Sequence, residues 1–353
     1  MRLLLKCNPG LEDVTVTEAE EEYQSRIREV DVRKGRGRVI LEVDSTSLRP
    51  VFRMRSVHSA ALLSVEEPVG YSLDALKRID NIARSSGVHR FIPFGAAFAV
   101  RSERIGEGHE YTSMDVARVV GKAVQEAYKE EYGVIPEVRL ESPSISIMAE
   151  VDGEVFRLGV YVIGERSGHR RGYRVYDHPA ALKSTLAYGL LRLAEARDSS
   201  VILDPMCGGG TVAIEAALLF EDAQIICLDK NPRHIEGAVR NAAAARVVDR
   251  IEFLVGDARR LEEIIGNEVV DFVASNPPYG IRMGDPSSVR RLYSKFILSL
   301  YNVMRPGGRA AIVTTESRHA VNVARRAGFN VAHIRKVRHG DLWVSLIVFE
   351  KPG

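Results

Sequence analysis

Apolar and polar residues follow two different patterns in the two halves of this 353-residue chain. From Met1 to about Gly164, short apolar or alternating runs are mixed with segments of helical spacing, which predicts one or two small α+β units. The predicted strands are Arg2–Lys6, Arg38–Val43, Ala97–Arg101 and Ser144–Val151, and the predicted helices are Gly10–Tyr23 and Ser113–Tyr132. Thr112 and Ser113 are suitable N-caps for the second helix, because Asp115 follows in its first turn.

From about Pro179 onward, short apolar strands alternate strictly with helices. Short, continuous apolar strands separated by helices predict βαβ units and a parallel sheet that is covered on both faces. The predicted strands are Val201–Leu203, Gln224–Leu228, Ile251–Val255, Val269–Ala274, Ala310–Thr314, Asn330–Arg338 and Leu342–Phe349, with helices over Val212–Phe220 and Pro232–Ala244. The Arg- and Gly-rich segment Glu165–Asp177 is interpreted as the linker between the two halves.

The composition excludes several classes of protein. Hydrophobic residues make up 45% and charged residues 27% of the chain, which excludes a wholly disordered protein. The net charge of +2 provides no global positive field, so a nucleic acid would have to be contacted by local basic patches. Cys7, Cys207 and Cys227 form no C-x-x-C pair, so neither a disulfide framework nor a cysteine-based zinc site is expected. Without an apolar stretch long enough for a signal peptide or a membrane span, the sequence favours a cytoplasmic protein with no membrane contact.

The first chemical motif is a glycine-rich loop between a strand and a helix. It reads Asp204-Pro-Met-Cys-Gly-Gly-Gly-Thr211. Glycines at such a turn let the backbone approach a ligand and leave helix N-terminal amides free. The dinucleotide fingerprint G-x-G-x-x-G is absent, and an aspartate opens the loop, which suits a positively charged ligand group better than a pyrophosphate. The loop therefore favours the amino-acid end of S-adenosylmethionine, although a glycine-rich loop alone is weak evidence.

Two more acidic residues follow the next two strands of the predicted sheet. Asp229 follows Gln224–Leu228, where a carboxylate can accept both ribose hydroxyls of an adenosine, or can simply end a strand in solvent. Asp257 lies in Gly256-Asp257-Ala258 after Ile251–Val255, where its side chain can accept the adenine amino group. The carboxyl ends of parallel strands meet at the ligand-binding edge of an open sheet, so the three acidic residues are more specific together than singly.

The segment Asn276-Pro-Pro-Tyr-Gly280 follows the strand Val269–Ala274 and is the most informative motif. Two successive prolines restrict φ and expose the carbonyls of Asn276 and Pro277. These acceptors and the Asn276 side-chain oxygen can hold an exocyclic amino group, while Tyr279 offers a flat face on which a flipped base can stack. A rigid turn without a function is the alternative, and the three upstream motifs argue against it.

Taken in order, these four segments resemble the cofactor and catalytic motifs of the Rossmann-like S-adenosylmethionine-dependent methyltransferases. In that family, N-P-P-Y marks enzymes that methylate amino nitrogens lying in the plane of an aromatic ring. The first half resembles a THUMP domain preceded by a ferredoxin-like domain. The segments that carry this second resemblance are Phe98–Arg101 through Ser113–Asp115, Ser142–Val151, Leu158–Val160 and the junction Arg171–Pro179.

This resemblance implies an α/β fold in which a Rossmann-like methyltransferase domain follows an N-terminal α+β region. The implied divisions are a ferredoxin-like domain over 1–60, a THUMP RNA-binding domain over 61–164, a linker over 165–178 and the methyltransferase domain over 179–353. The whole chain most resembles the RNA guanine-N2 methyltransferases, in particular the tRNA enzymes that form N2-methylguanosine at position 6. The family implies S-adenosylmethionine as cofactor, no metal, and a monomer that binds the acceptor stem and 3′ end of tRNA.

Neighbouring activities stay open at this point. A related THUMP enzyme that acts on guanosine 10 of tRNA usually has Asp where Asn276 stands, whereas ribosomal-RNA enzymes also carry Asn-Pro-Pro-Tyr. A non-catalytic RNA-binding protein is a further alternative, against which the intact Asn276–Tyr279 segment argues. N-P-P-Y enzymes also methylate glutamine amides of proteins, but such enzymes do not need a THUMP-like half. Carbon-5 methylation of a pyrimidine would need a cysteine nucleophile, and the sequence near Tyr279 contains none.

The motif and the resemblance together assign catalytic roles to Asn276, Pro277, Pro278 and Tyr279. The Asn276 Oδ1 atom and the Pro277 carbonyl are expected to accept hydrogens of the target amine, and Tyr279 to hold the flipped guanine. Asp204 is expected near the methionine ammonium, Asp229 on the ribose and Asp257 on the adenine. The full predicted cofactor set is Ser184, Thr185, Asp204, Pro205, Cys207, Gly208, Gly209, Gly210, Thr211, Asp229, Lys230, Asp257, Ala258 and Asn276.

Predicted RNA contacts are basic residues in two regions. The resemblance to THUMP domains implies that Arg101 and Arg104 lie near the surface that binds the tRNA 3′ end. In the linker, the predicted contacts are Arg166, Arg170, Arg171 and Arg174. A solvated basic loop is the alternative for the linker. The histidines His169, His178 and His339 are isolated in sequence and are interpreted as surface or interdomain residues.

Overall fold

The structure, a computed structural model, describes residues 1–164, 171–178, 180–279 and 286–353. By its internal contacts the chain divides into two units. Unit 1 contains Met1–Cys7, Val16–Arg33 and Arg38–Gly168, and unit 2 contains Asn8–Thr15, Lys34–Gly37 and His169–Gly353.

The N-terminal half contains seven strands and four α-helices. The strands are β1 (Arg2–Cys7), β2 (Ile27–Arg33), β3 (Arg38–Val43), β4 (Val57–Pro68), β5 (Phe98–Ile105), β6 (Ile145–Asp152) and β7 (Val155–Ile163). The helices are α1 (Glu12–Tyr23), α2 (Arg49–Arg53), α3 (Asp74–Ser85) and α4 (Ser113–Tyr132). The predicted strands and helices of this half are confirmed to within a few residues, whereas β2, β4, β7, α2 and α3 are additional to them.

All seven strands of unit 1 form one sheet in the order β2-β3-β1-β4-β7-β6-β5. Neighbouring strands are antiparallel except for β5 and β6, which are parallel. The predicted division at residues 60 and 61 falls inside β4, which pairs with β1 on one side and with β7 on the other. The start of α4 is confirmed: Thr112 Oγ1 accepts from the Asp115 amide at 3.2 Å, and Asp115 Oδ2 accepts from the Thr112 amide at 2.9 Å.

The C-terminal half alternates helices with strands, as predicted. Its helices are α5 (Ser184–Leu193), α6 (Thr211–Leu219), α7 (Pro232–Ala244), α8 (Glu262–Ile265), α9 (Pro286–Val303) and α10 (Ser317–Ala327). Its strands are β8 (Val201–Asp204), β9 (Gln224–Asp229), β10 (Ile251–Val255), β11 (Val270–Ser275), β12 (Met304–Thr314), β13 (Asn330–His339) and β14 (Leu342–Glu350).

The seven strands of unit 2 form a second sheet in the order β10-β9-β8-β11-β12-β14-β13. The strands β10, β9, β8, β11 and β12 are parallel, and β14 is antiparallel to both β12 and β13. After β8, the chain adds β9 and then β10 on one side of β8. It then crosses back and adds β11 and β12 on the other side of β8. The carboxyl ends of β8 and β11 therefore lie at the topological switch point, where open α/β sheets bind their ligands.

Both faces of this sheet are buried. Ile202 of β8 packs in a cluster with Leu186 of α5 and Ile214 of α6, whereas its neighbour Leu203 packs in a cluster with Phe296 of α9. Successive side chains of a strand point to opposite faces, so two separate cores cover the sheet. This confirms the predicted α/β fold class. In the part of the chain that the structure describes, none of the helices is both long and apolar enough to cross a membrane.

Candidate active site

A cavity of about 290 Å³ opens at the carboxyl ends of β8, β9, β10 and β11 in unit 2. Twelve of the predicted site residues line it: Asp204, Pro205, Cys207, Gly208, Gly209, Thr211, Asp229, Lys230, Asp257, Ala258, Asn276 and Pro278. Its other walls include Met206, Val212, Leu292, His178, His234 and the segment 180–182. Residues that were predicted from four separate strand ends therefore meet in one place.

The glycine-rich loop between β8 and α6 is held in a turn that glycine permits. The Gly210 amide donates to the Cys207 carbonyl at 2.8 Å, and Gly210 has φ of 78°, in the left-handed region. A Cβ atom on Gly210 would lie 2.9 Å from Ala238 Cβ of α7. The loop can therefore lie against α7 only because it lacks a side chain at this position.

Asp204, at the end of β8, is a buried carboxyl group with neutral donors. The Ser275 hydroxyl donates to Asp204 Oδ1 at 2.9 Å, and the Met206 amide donates to the same atom at 3.3 Å. Burial raises the pKa of Asp204 to about 7, and these two hydrogen bonds do not offset it. Because both donors reach Oδ1, Oδ2 is available to a ligand in the cavity.

Asp229, at the end of β9, connects the strand to the glycine-rich loop. Its Oδ2 accepts from the Gly208 amide at 3.0 Å, and its Oδ1 accepts from the Asn231 amide at 2.9 Å. His234 Nδ1 lies 3.1 Å from the same Oδ1. The carboxylate is thus oriented by two elements, and it is 8% exposed.

Asp257, after β10, is a carboxylate held by the side chain of a nearby arginine. Hydrogen bonds from the Arg259 side chain, whose Nε lies 2.9 Å from both carboxylate oxygens, hold its pKa at about 2. The Arg259 amide also donates to Oδ1 at 3.0 Å, which caps the turn that begins at Ala258. The side chain of Asp257 is therefore fixed against its own turn while it lines the cavity.

The Asn276–Tyr279 segment leaves β11 at the rim of the cavity. Asn276 Nδ2 donates to the Ala180 carbonyl at 3.2 Å, and the Tyr279 hydroxyl lies 2.6 Å from Asn276 Oδ1. The Thr315 hydroxyl donates to the Tyr279 carbonyl at 3.4 Å. Burial raises the pKa of Tyr279 above its ordinary value, so its hydroxyl keeps its hydrogen at neutral pH.

Two histidines that were interpreted from the sequence as surface or interdomain residues lie at this site. The ring of His178 lines the cavity and meets the ring of His234 edge-on, with centroids 4.5 Å apart. The Nδ1 atom of His339, the last residue of β13, lies 3.1 Å from the Tyr279 hydroxyl. In both cases, the residues next to the histidine in the sequence do not predict the contact. His169 lies outside the described residues.

Asn241 of α7 joins the segment 175–176 to the glycine-rich loop. Its Oδ1 accepts from the amides of Val175 (2.9 Å) and Tyr176 (2.7 Å). Its Nδ2 donates to the carbonyls of Tyr176 (3.0 Å) and Gly209 (2.8 Å). All four hydrogen-bonding positions of this buried amide are used, so Asn241 fixes the loop relative to the segment that precedes α5.

The other predicted cofactor residues lie near the cavity but do not form its described walls. Ser184 and Thr185 begin α5 and are buried, and the Thr185 hydroxyl donates to Asn8 Oδ1 at 2.7 Å. Gly210 and Pro277 belong to the same two motifs but are not among the residues that line the cavity. Among the described residues, no group of three or more His, Cys, Asp or Glu side chains is arranged to hold a metal ion.

The predicted RNA contacts are distributed over both units. In unit 1, Arg101 donates to the Leu140 carbonyl at 2.6 Å, and exposed Arg104 donates to the Gly106 carbonyl at 3.1 Å. In unit 2, Arg171 lies 3.6 Å from buried Glu215, and Arg174 donates to the Leu182 carbonyl at 2.8 Å. Arg166 and Arg170 lie outside the described residues.

Comparisons with known proteins identify both halves of the chain. Residues 171–345 match the RMKL-like methyltransferase domain, and residues 75–161 match the THUMP domain. A protein of Archaeoglobus fulgidus named tRNA (guanine(6)-N2)-methyltransferase is 34% identical, over 99% of this chain and 92% of the relative. A protein of the same name from Thermus thermophilus is also 34% identical, over 98% of each chain.

A solved structure also matches the chain over nearly its full length. The crystal structure of TrmN from Thermus thermophilus superposes with a TM-score of 0.82 at 30% identity, and the match covers 99% of both chains. The chain and these relatives match over nearly their whole lengths, and the chain contains both domains. They therefore share one domain composition. The chain therefore belongs to the family of THUMP-domain tRNA (guanine(6)-N2)-methyltransferases, which use S-adenosylmethionine.

Proposed function

We propose that this protein transfers a methyl group from S-adenosylmethionine to the exocyclic N2 amine of guanosine 6 in the acceptor stem of tRNA. One observation carries the proposal. Asn276 and Pro278 of the N-P-P-Y motif line the same cavity as Asp204, Asp229 and Asp257. The methyl-donor motifs and the amine-binding motif thus converge on one site, and the relatives that match the chain over nearly its whole length are named for this reaction.

The residues of the cavity fit S-adenosylmethionine. Asp204 has a buried carboxyl oxygen with no strong donor, which suits the cationic amino group of a methionine. The glycine-rich loop allows a close backbone approach, because Gly208 and Gly209 line the cavity and carry no side chains. Asp229 would hold the ribose hydroxyls, Asp257 would accept the adenine amino group, and Lys230 and Ala258 would border the adenosine.

The reaction requires the chain to orient a weak nucleophile. When bound, S-adenosylmethionine supplies a methyl group that its sulfonium makes electrophilic. The lone pair of the guanine amine is delocalised into the ring, so acceptors are needed that draw on its hydrogens. Asn276 Oδ1 and the Pro277 carbonyl would provide them, and the Tyr279 ring would stack on the flipped base. Since the proton can leave after transfer, this chemistry needs no dedicated general base and no metal ion.

In this proposal, residues of each unit contact the tRNA. The family's THUMP domain implies contact with the tRNA 3′ end through Arg101 and Arg104, which both lie on β5. The linker arginines Arg166, Arg170, Arg171 and Arg174 would contact the acceptor stem. Within unit 2, Arg171 already contacts Glu215 and Arg174 the Leu182 carbonyl. To bind RNA as well, each guanidinium would have to share its hydrogen-bond donors between this partner and the RNA. We further propose that a monomer acts on tRNA in the cytoplasm.

The test is direct. Unmodified tRNA transcripts with guanosine or adenosine at position 6 are incubated with the protein and methyl-labelled S-adenosylmethionine, and the products are mapped by nuclease digestion and mass spectrometry. We expect N2-methylguanosine at position 6 of the first transcript and no label at that position in the second. Label at guanosine 10, or in ribosomal RNA and not in tRNA, would replace the proposal by one of the neighbouring activities.

A further inference from the structure

The Tyr279 hydroxyl lies between the side-chain oxygen of Asn276 and a ring nitrogen of His339. It is 2.6 Å from Asn276 Oδ1 and 3.1 Å from His339 Nδ1. A phenol carries one hydrogen, so it can donate to only one of the two at a time. The shorter distance shows that, in this structure, it donates to Asn276.

The orientation of Asn276 is fixed independently of Tyr279. Its Nδ2 donates to the Ala180 carbonyl at 3.2 Å, so the opposite atom of the amide, Oδ1, faces the Tyr279 hydroxyl. This oxygen is the atom that the proposed mechanism assigns to the target amine. In the base-free protein, the Tyr279 hydroxyl thus uses one of the two lone pairs with which this oxygen accepts hydrogen bonds.

His339 is held where it can take over that hydroxyl. Its ring meets the Tyr279 ring edge-on, with centroids 6.1 Å apart at an interplanar angle of 90°. Burial lowers the pKa of His339, and this outweighs the opposing hydrogen bond between the ring and the Ala181 backbone. A neutral imidazole with its hydrogen on Nε2 has an accepting lone pair on Nδ1, the atom nearest to Tyr279.

We propose that His339 is a positioning residue for methyl transfer, which accepts the Tyr279 hydroxyl hydrogen when the target amine displaces it from Asn276 Oδ1. This inference rests on the proposed function, because it assigns the same amine to the same oxygen. Only the acceptor of one hydrogen bond changes, from Asn276 to His339, and no covalent bond is made or broken. The Tyr279 ring keeps an anchored hydroxyl throughout, and so stays in place to stack on the base.

Without His339, the exchange would leave the half-buried Tyr279 hydroxyl without a partner as the amine binds. Such a loss costs about as much as one hydrogen bond, and about tenfold in rate is the expected scale. The lost hydrogen bond raises the free energy of the state in which the base has entered the site. The affinity for S-adenosylmethionine is therefore unaffected. Removing the hydroxyl itself would remove the need for His339.

The experiment measures single-turnover methylation at saturating tRNA and S-adenosylmethionine. The variants are His339→Leu, which lacks an acceptor, His339→Asn, whose side-chain oxygen can replace Nδ1, and His339→Gln, whose amide lies farther out. The matched control is His333→Leu, at another histidine of β13. Each His339 variant is also made in the Tyr279→Phe background, and the dissociation constant of S-adenosylmethionine is measured for each as a check on folding.

We expect His339→Leu and His339→Gln to slow transfer about tenfold, His339→Asn to restore most of the rate, and His333→Leu to match the wild type. In the Tyr279→Phe background, His339→Leu should have no further effect. Equal rates for wild type and His339→Leu, or additive effects of His339→Leu and Tyr279→Phe, would overturn the inference while the wild type still methylates guanosine 6. If the wild type fails to methylate tRNA at all, the proposed function fails first.

Discussion

Replacing Asp204 by asparagine should stabilise the ligand-free catalytic unit at neutral pH. Both donors to Asp204, the Ser275 hydroxyl and the Met206 amide, reach the single atom Oδ1. An asparagine can present its carbonyl oxygen to both and its amide to the cavity. The substitution therefore keeps the two hydrogen bonds and the volume, and it removes only the ability to carry a buried charge.

The magnitude follows from the pKa of Asp204, which burial raises from 3.8 to about 7. A group with a raised acidic pKa holds its proton longer in the folded state, so the wild type loses stability as pH rises from about 4 to about 7. The slope for one proton is about 1.4 kcal/mol per pH unit. Between pH 5 and pH 8, the stability of Asp204→Asn relative to the wild type should therefore rise by about 2.5 kcal/mol.

Urea unfolding at pH 5 and pH 8 measures this difference, followed by the fluorescence of Trp343. The chain contains one tryptophan, and it lies on β14 of unit 2, so the signal reports the unit that contains Asp204. The matched control is Asp222→Asn, at an exposed carboxylate. If the wild type and Asp204→Asn have parallel stability profiles over this pH range, the assignment of a buried charge to Asp204 is wrong.

The same variant should bind S-adenosylmethionine more weakly, because a charged acceptor for its ammonium is lost. A hydrogen bond between charged groups is worth about 1.5–3 kcal/mol, so the dissociation constant should rise at least tenfold at pH 8. For the wild type, binding should strengthen as pH rises through 7 and Asp204 ionises. Calorimetry in buffers of different ionisation enthalpy would show a proton released on binding near pH 7, and none for Asp204→Asn.

Three further predictions concern the motifs around the cavity. Asn276→Ala should abolish methyl transfer and leave S-adenosylmethionine affinity within about twofold of the wild type; retained turnover contradicts the role of its oxygen. Asn241→Leu should weaken cofactor binding about tenfold and lower the melting temperature, because four hydrogen bonds of a buried amide are lost; calorimetry and thermal unfolding measure both effects. Gly237→Ala should cost about 1–3 kcal/mol of stability, because the new Cβ would lie 2.2 Å from the Tyr176 ring, whereas Gly172→Ala, with no atom within 4 Å of its Cβ, should be neutral.

The methyltransferase half was predictable from sequence because its signals are local. Each strand from β8 to β11 is a short apolar run that ends in a chemically distinctive residue, and parallel strands bring such ends to one edge. The sequence therefore predicts that Asp204, Asp229 and Asp257 lie at one site. The start of α4 was equally local, because Thr112 and Asp115 cap each other within one turn.

The parts that were missed depend on partners far away in sequence. The strand β4 contains His, Ser and Ala residues with little strand preference of their own, and it forms because β1 and β7 pair with it on both sides. Thr185 lies in the first turn of α5, where its hydroxyl donates to Asn8, 177 residues away. Its buried position beside that partner cannot be inferred from the residues around it.

The position of His339 shows how strand direction completes the site. Because β14 runs antiparallel to β12, with Thr314 paired to Ser345, β14 begins at the edge where β12 ends. His339 pairs with Leu342 across the tight turn that precedes β14, so the turn lies at that same edge. Two antiparallel strands thus bring the end of the chain back to the carboxyl ends of the parallel ones. A residue 60 positions after Tyr279 reaches its hydroxyl through this reversal, which no local pattern records.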